Sequence, residues 1–369
     1  MKKILTILGA RPQFIKASVV SFSLSKSTDL TEVVVHTGQH FDTNMSAVFF
    51  DELGMSKPDY HLDIHGGNHG DMTGRMLIEI EKVLLHEKPD VVLVYGDTNS
   101  TLAGALAAIK LHIPVAHIEA GLRSFNMNMP EEINRILTDR VSEWLFTPTQ
   151  TATKHLSSEG IDPSKVTEVG DVMFDAALHY GEKVTSDGGL LNQLSIQYNI
   201  QPHSYCLATI HRAENTDNPE RLAIIVEALS RFAETMPVVW PLHPRTKAAL
   251  ATLGKLDSLA QRVKLIEPIG YLDMVQLEKY ASLIATDSGG VQKEAFFYKV
   301  PCVTLRDETE WVELVDAGWN KLATPKNAEA LLHSLRSSIG TIGNDVSPYG
   351  LGNASDLIIS KLKTNLLFN

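Results

Sequence analysis

Short apolar runs alternate with stretches of helical periodicity along almost the whole chain. Residues 91–95 (VVLVY) have no polar position at all, as a parallel strand covered on both faces requires. Strand-length runs also stand at 3–8, 32–37, 115–118, 145–147 and 167–169. Between them the spacing predicts helices from about residue 12, near 44–53, over 75–86 and over 99–111. In 75–86, Met76, Leu77, Ile80, Val83 and Leu84 share one face. A polar, Gly-containing stretch at 183–193 interrupts this order, which then restarts with strands expected at 205–210, 238–241, 263–266, 283–285, 302–305 and 322–324. Strand–helix alternation of this kind predicts an α/β protein of two Rossmann-like, doubly wound domains, at 1–175 and 176–353. The amphipathic segment 354–369 has no strand after it and is expected to pack back onto the first domain.

Composition narrows the class. Hydrophobic residues make up 44% and charged residues 21%, values ordinary for a globular protein, and 369 residues suffice for two cores. The formal charge of −11 argues against a nucleic-acid surface. No apolar run reaches membrane-spanning length, so no membrane partner is expected. The basic start MKKILTILGARPQ has the flavour of a signal peptide, but its apolar run is strand-sized and Gly9–Pro12 reads as a first βα turn. Cys206 and Cys302 both lie in apolar runs, which points to a reduced, cytoplasmic protein.

Open parallel sheets bind ligands at the carboxyl ends of their strands, so polar residues just after a strand are the candidates. The stretch LIATDSGGVQKEAFF feeds a strand through Ser288, Gly289 and Gly290 into a helix start, where free N–H groups and the helix dipole favour an anion. Glu294, one turn into that helix, suits the hydroxyls of a ribose. An ordinary βα turn is the competing reading. After the first strand, Arg11 and Lys16 are cations near a helix N-terminus, misplaced unless an anion sits between them. Asp97 follows VVLVY, and Glu119 follows the run 115–118, a costly place for a carboxylate without a partner. A plain helix cap competes for Asp97. Glu131 and Arg135 belong to PEEINR, where dipole compensation alone accounts for an acidic first turn. In the second half, His211 and Arg212 end one strand, His243 the next, and Arg306 the run 302–305. A His–Arg pair there suits a diphosphate, and a histidine can also move a proton. His61, His65 and His69 have helical spacing, but Gly66, Gly67 and Gly70 speak against the helix a metal site would need, so no metal is expected.

Taken together, GARPQFIK, GDTNSTLAG, HIEAGLR, MPEEINR, TIHRAEN and TDSGGVQKEA resemble, in order and interval, the non-hydrolysing UDP-N-acetylglucosamine 2-epimerase family. The resemblance covers both domains nearly end to end. It implies a glycosyltransferase-B-like fold with the active site in the interdomain cleft, a UDP-sugar substrate, no cofactor, and a homodimer. It also implies a reaction, conversion of UDP-GlcNAc to UDP-ManNAc for surface polysaccharide synthesis by UDP elimination to a glycal and re-addition. By match to the family's motifs, Asp97, Glu119, Glu131 and His211 form the catalytic set. Ser288, Gly289, Gly290 and Glu294 would hold phosphate and ribose, with Arg11, Lys16, Arg135, Arg212, His243 and Arg306 also at the substrate. Where many members carry Thr-Glu-Arg-Pro-Glu, this chain has Thr309-Glu310-Trp311-Val312-Glu313. That departure resembles the branch acting on UDP-2,3-diacetamido-2,3-dideoxy-glucuronate, the alternative substrate. Residues 39–42 match only part of the region where some bacterial members bind an activating second substrate molecule, so such activation is not expected. A glycosyltransferase of the same fold, a silent UDP-sugar sensor and a hydrolysing relative are the rival readings. Epimerisation without acceptor, solvent exchange at C2, and release of free sugar separate them.

Overall fold

The computed structural model describes residues 1–39 and 50–368. The chain divides into two compact units, Met1–Ala176 with Ser347–Asn369, and Ala177–Val346. Most of the helix expected near 44–53 lies outside the described residues, as do His40, Phe41 and Asp42.

The first unit is built on a seven-stranded parallel sheet of β1 (Lys2–Leu8), β2 (Leu30–His36), β3 (Tyr60–His61), β4 (Val91–Tyr95), β5 (Val115–Ile118), β6 (Trp144–Thr147) and β7 (Val166–Glu168). Their spatial order is β3-β2-β1-β4-β5-β6-β7. The order reverses between β1 and β4, in register Ile4↔Val91 through Thr6↔Leu93, which makes the loops after these two strands the switch point where α/β sheets bind ligands. Every residue of β4 is fully buried, as its unbroken apolarity requires. Helix Asn99–Lys110 packs so closely that a Cβ on Gly104 would stand 2.6 Å from Ile7 Cδ1, and its inner face is alanine. Helix His69–Glu87 covers the same side with Met76, Ile80, Val83 and Leu84. It starts six residues earlier than the periodicity suggests and absorbs Gly70 and Gly74, since packing of its apolar stripe offsets the roughly 1 kcal/mol each glycine costs. The last helix, Ala354–Phe368, belongs to this unit. Asp175 holds its start by accepting from the N–H groups of Ala354 and Ser355 at 3.0 and 2.7 Å, and Ser23 donates to Asp356 at 2.7 Å.

The second unit carries a six-stranded parallel sheet of β8 (Cys206–Thr209), β9 (Val238–Pro241), β10 (Lys264–Ile266), β11 (Leu283–Thr286), β12 (Cys302–Thr304) and β13 (Asn320–Leu322). The order β10-β9-β8-β11-β12-β13 places its switch point between β8 and β11. β13 is two residues upstream of the expected 322–324, because Cys302 pairs with Asn320 and Asn320 Oδ1 accepts from Thr304 at 2.6 Å. The polar stretch 183–193 is a turn followed by the start of helix Gly189–Tyr198. Gln276 holds that turn, donating to the carbonyls of Thr185 and Gly188 and accepting from Leu191 N–H. No helix among the described residues is long and apolar enough to cross a membrane.

Candidate active site

At the switch point of the first unit, Gln13 binds the loops after β1 and β4 to each other. Its Oε1 accepts from Gly9 and Ala10 N–H at 2.8 and 3.0 Å, and its Nε2 donates to the Tyr95 carbonyl at 2.7 Å and to Thr98 and Thr101. Beside it lies a cavity of about 220 Å³ whose lining includes Lys16, His69, Asp97, Asn99, Glu131 and Asn134.

Of the predicted carboxylates, Asp97 and Glu131 line this cavity, and Glu119 meets Lys16 of its wall. Glu119 is ion-paired with Lys16, both nearly buried. Its backbone is left-handed, at φ 72°, a conformation a side chain with a Cβ adopts at a cost. Gly96, at φ 62°, leaves the room this pair needs, since a Cβ there would sit 3.2 Å from Glu119 Oε2 and 3.8 Å from Lys16 Nζ. The Asp97 carboxylate accepts from Arg135 at 2.5 Å, and its carbonyl accepts from Asn134 Nδ2 at 2.9 Å. Arg135 also donates to Glu132 at 2.7 Å. Glu132 is buried, which alone would raise its pKa, but N–H donation from Ser124 and Phe125, the Ser124 hydroxyl and the Arg135 charge together outweigh burial and hold it below its ordinary value. Glu131 stands exposed in the first turn of helix Pro130–Val141 and lines the cavity. Arg11 opens helix Arg11–Ser25, more than one turn ahead of Lys16.

His69 enters the cavity by a route the sequence conceals. Asn134 Nδ2 donates to Asn99 Oδ1 at 3.3 Å, which turns Asn99 Nδ2 toward His69 Nδ1 at 3.1 Å. Nδ1 therefore accepts, and Nε2 carries the proton in the neutral ring. Its histidine spacing suggested metal chemistry; its place in the fold is a donor at the cavity.

In the second unit the switch-point loops are organised by Asp287, which follows β11 directly and is fully buried. Its carboxylate accepts from His211 N–H at 3.0 Å, Arg212 N–H at 3.0 Å and Asn215 Nδ2 at 3.0 Å. His211 Nδ1 lies 3.6 Å from the same group. Burial lowers the His211 pKa below its ordinary value against the pull of Asp287, with His243 and Arg212 adding to the lowering. The His211 and His243 rings are 5.8 Å apart. The N-terminus of helix Gly289–Phe297 completes the group: a Cβ on Gly289 would come 3.7 Å from the Arg212 guanidinium, and one on Gly290 3.9 Å from both Glu294 Oε2 and Ser288 Oγ. The fold thus gathers His211, Arg212, His243, Ser288, Gly289, Gly290 and Glu294 in one unit. Arg306 is buried and held between Glu214 at 3.1 Å and Glu310 at 2.8 Å. Trp311, at the point of departure from the family pattern, stacks under the Lys293 ammonium 4.4 Å from its ring centroid and stands with Nε1 3.4 Å from the position of a Gly289 Cβ.

Asp287, Gln13 and Asn134 were not singled out as site residues from sequence. For Asp287 the strand-end rule applied and the signal was present; for Gln13 and Asn134 only tertiary contacts reveal the role. Among the described residues no group of three or more His, Cys, Asp or Glu side chains could hold a metal ion.

Comparison with known proteins finds relatives over nearly the whole chain. The UDP-N-acetylglucosamine 2-epimerase family profile matches residues 23–363. A UDP-2,3-diacetamido-2,3-dideoxy-D-glucuronate 2-epimerase of Pseudomonas aeruginosa is 58% identical over 98% of this chain and 99% of its own. The UDP-GlcNAc 2-epimerase of Methanocaldococcus jannaschii, solved in complex with UDP-GlcNAc and UDP, superposes with a TM-score of 0.84 at 46% identity, covering 98% of this chain and 99% of that one. The Neisseria meningitidis enzyme bound to UDP-GlcNAc gives a TM-score of 0.87 at 35% identity, covering 98% and 100%. The chain belongs to the UDP-N-acetylglucosamine 2-epimerase family.

Proposed function

We propose that the substrate of this isomerase, a UDP-sugar 2-epimerase, is UDP-2,3-diacetamido-2,3-dideoxy-D-glucuronate, inverted at C2 for surface polysaccharide synthesis. The observation that carries the choice of sugar is the 58% identity to the P. aeruginosa enzyme of that name, against 47% to the M. jannaschii UDP-GlcNAc 2-epimerase. Inversion of UDP-GlcNAc to UDP-ManNAc is the second reading, favoured by the relatives that bind UDP-GlcNAc. The chemistry is the same for both.

The C2 hydrogen has no neighbouring carbonyl to acidify it, so departure of the diphosphate leads. The C1–O bond breaks toward UDP, positive charge builds at C1, and a carboxylate takes the C2 proton, leaving a glycal. Return of a proton to the opposite face of C2 and re-addition of UDP at C1 give the epimer. Asp97, Glu119 and Glu131 carry the proton transfers in this reading, with Arg135 paired to Asp97 and Lys16 to Glu119. His211, neutral through burial, is suited to exchange a proton with the leaving phosphate. Arg11, Arg212, His243 and the Ser288–Gly290 turn receive the diphosphate, Glu294 takes the ribose hydroxyls, and Arg306 braces the turn through Glu310. The reading includes a cytoplasmic homodimer. Met129, Ile133 and Leu137 form an exposed apolar row along helix Pro130–Val141 suited to a second copy.

Steady-state kinetics on the two UDP-sugars decide the substrate. A kcat/KM at least tenfold higher for the diacetamido uronate, about 1.4 kcal/mol of discrimination, is expected. Preference for UDP-GlcNAc would transfer the assignment to it. Light scattering of the purified protein tests the dimer.

A further inference from the structure

We propose that His117 is a fully buried imidazolium that positions Asp97 by clamping the loop after β4 to β5. His117 has no exposed surface, and each of its ring nitrogens faces an oxygen at 2.7 Å: Nδ1 the Asp139 carboxylate, Nε2 the Gly96 carbonyl. A carbonyl oxygen has no hydrogen to give. Asp139 has none either, because it is a carboxylate already committed as an acceptor: Arg123 Nη1 pairs with its Oδ2 at 2.7 Å, and Gly121 N–H donates to the same oxygen at 3.1 Å. A neutral imidazole would aim a lone pair at one of these two acceptors from hydrogen-bond distance. Turning the ring over would present both acceptors with C–H groups instead. Two N–H donors satisfy both contacts, and the ring is then a cation.

The surroundings balance that charge. Arg123 is shared between Asp139 and Glu159, whose carboxylate it meets at 2.6 Å. His117 and Arg123 therefore face Asp139 and Glu159, a neutral cluster of the kind that makes a buried charge tolerable. What the cation holds is the segment bearing Asp97. Gly96 N–H donates to the Ile118 carbonyl at 3.0 Å, and the Gly96 carbonyl accepts from His117, so this left-handed residue is pinned to β5 at both ends. Glu119 lies two residues beyond His117 on the same strand end. One ring thus sets the relative placement of two carboxylates proposed for proton transfer. His117 is a positioning residue; the step from its charge state to catalysis rests on the proposed function, while the charge state itself does not.

The test uses the full-length protein labelled with ¹⁵N-histidine, in long-range ¹H–¹⁵N spectra at neutral pH, with His117 assigned by its loss in His117→Gln. Two N–H-type ring nitrogens are expected; one lone-pair-type nitrogen would overturn the assignment. Asp139→Asn removes the charge partner at nearly constant size. It is expected to return His117 to a neutral tautomer and to lower kcat at least tenfold, while KM and UDP affinity change less than threefold. A folded Asp139→Asn protein with wild-type kcat would overturn the positioning role. Should that variant not fold, the wild-type spectrum still decides the charge. If wild-type protein turns over neither UDP-sugar, the functional reading falls and the ring signature is judged alone.

Discussion

Asp287→Asn tests the idea that one buried carboxylate organises the switch-point loops of the second unit. The wild-type group receives the N–H of His211 at 3.0 Å and of Arg212 at 3.0 Å, and Asn215 Nδ2 at 3.0 Å, with no exposure to water. All three donors reach Oδ2, so an asparagine oxygen at that position still meets them, but the bonds lose the carboxylate's charge and an NH₂ replaces Oδ1, 3.0 Å from the His211 N–H. The variant should unfold with about 1–3 kcal/mol less stability. The His211–Arg212 backbone is fixed by these bonds, and UDP affinity, read by titration calorimetry, should fall about tenfold or more. A third effect has a defined sign. Burial depresses the His211 pKa and Asp287 opposes that depression. Removing the charge should move the His211 titration, followed by ¹H–¹⁵N NMR, to still lower pH. Wild-type stability with unchanged UDP affinity, or an upward move of the His211 midpoint, would refute the reasoning.

Other perturbations have equally definite directions. Glu278 is fully buried, neither of its carboxyl oxygens has a hydrogen-bond partner among the described residues, and burial, with the Glu294 charge adding to it, pushes its pKa well above normal. A carboxyl raised in the folded state binds its proton more tightly there than in the unfolded chain, so its cost to stability sets in above about pH 4.5 and grows until the folded group ionises. Glu278→Gln should therefore raise the denaturation midpoint at neutral pH and leave it unchanged at about pH 4; a loss at neutral pH would contradict this. Gly96→Ala imposes a left-handed alanine, about 1–2 kcal/mol, and presses a methyl on Glu119 Oε2. Denaturant unfolding should show that loss, and kcat should drop at least tenfold; wild-type kcat would mean that the Lys16–Glu119 pair has slack. Burial pushes both thiols up, Cys302 to about 12, so neither should react with a disulfide thiol reagent until the protein unfolds. Rapid modification of the native protein would place a thiol at the surface.

Much of the fold can be read from chemistry local to the chain. VVLVY is legible as a strand because only a doubly covered position tolerates five apolar residues in a row. Asp97, Glu119 and Ser288 are legible because polar groups directly after such strands occupy the ligand edge of the sheet. The remainder depends on partners distant in sequence. Glycines at 70 and 74 disguise the start of helix His69–Glu87, whose packing only the tertiary structure supplies. The two-residue shift of β13 follows from Asn320 meeting Thr304, and the turn before helix Gly189–Tyr198 is fixed by Gln276. His69 becomes a cavity donor only through Asn134 and Asn99, a relay spanning 65 positions of the chain from 69 to 134.

The central claim, C2 inversion through elimination of UDP, is tested most directly by proton NMR of the purified protein with UDP-2,3-diacetamido-2,3-dideoxy-D-glucuronate in D₂O. Deuterium should enter at C2 as the C2 epimer accumulates, with no free sugar released. Tight UDP binding with neither exchange nor epimer formation, on this sugar and on UDP-GlcNAc alike, would contradict it.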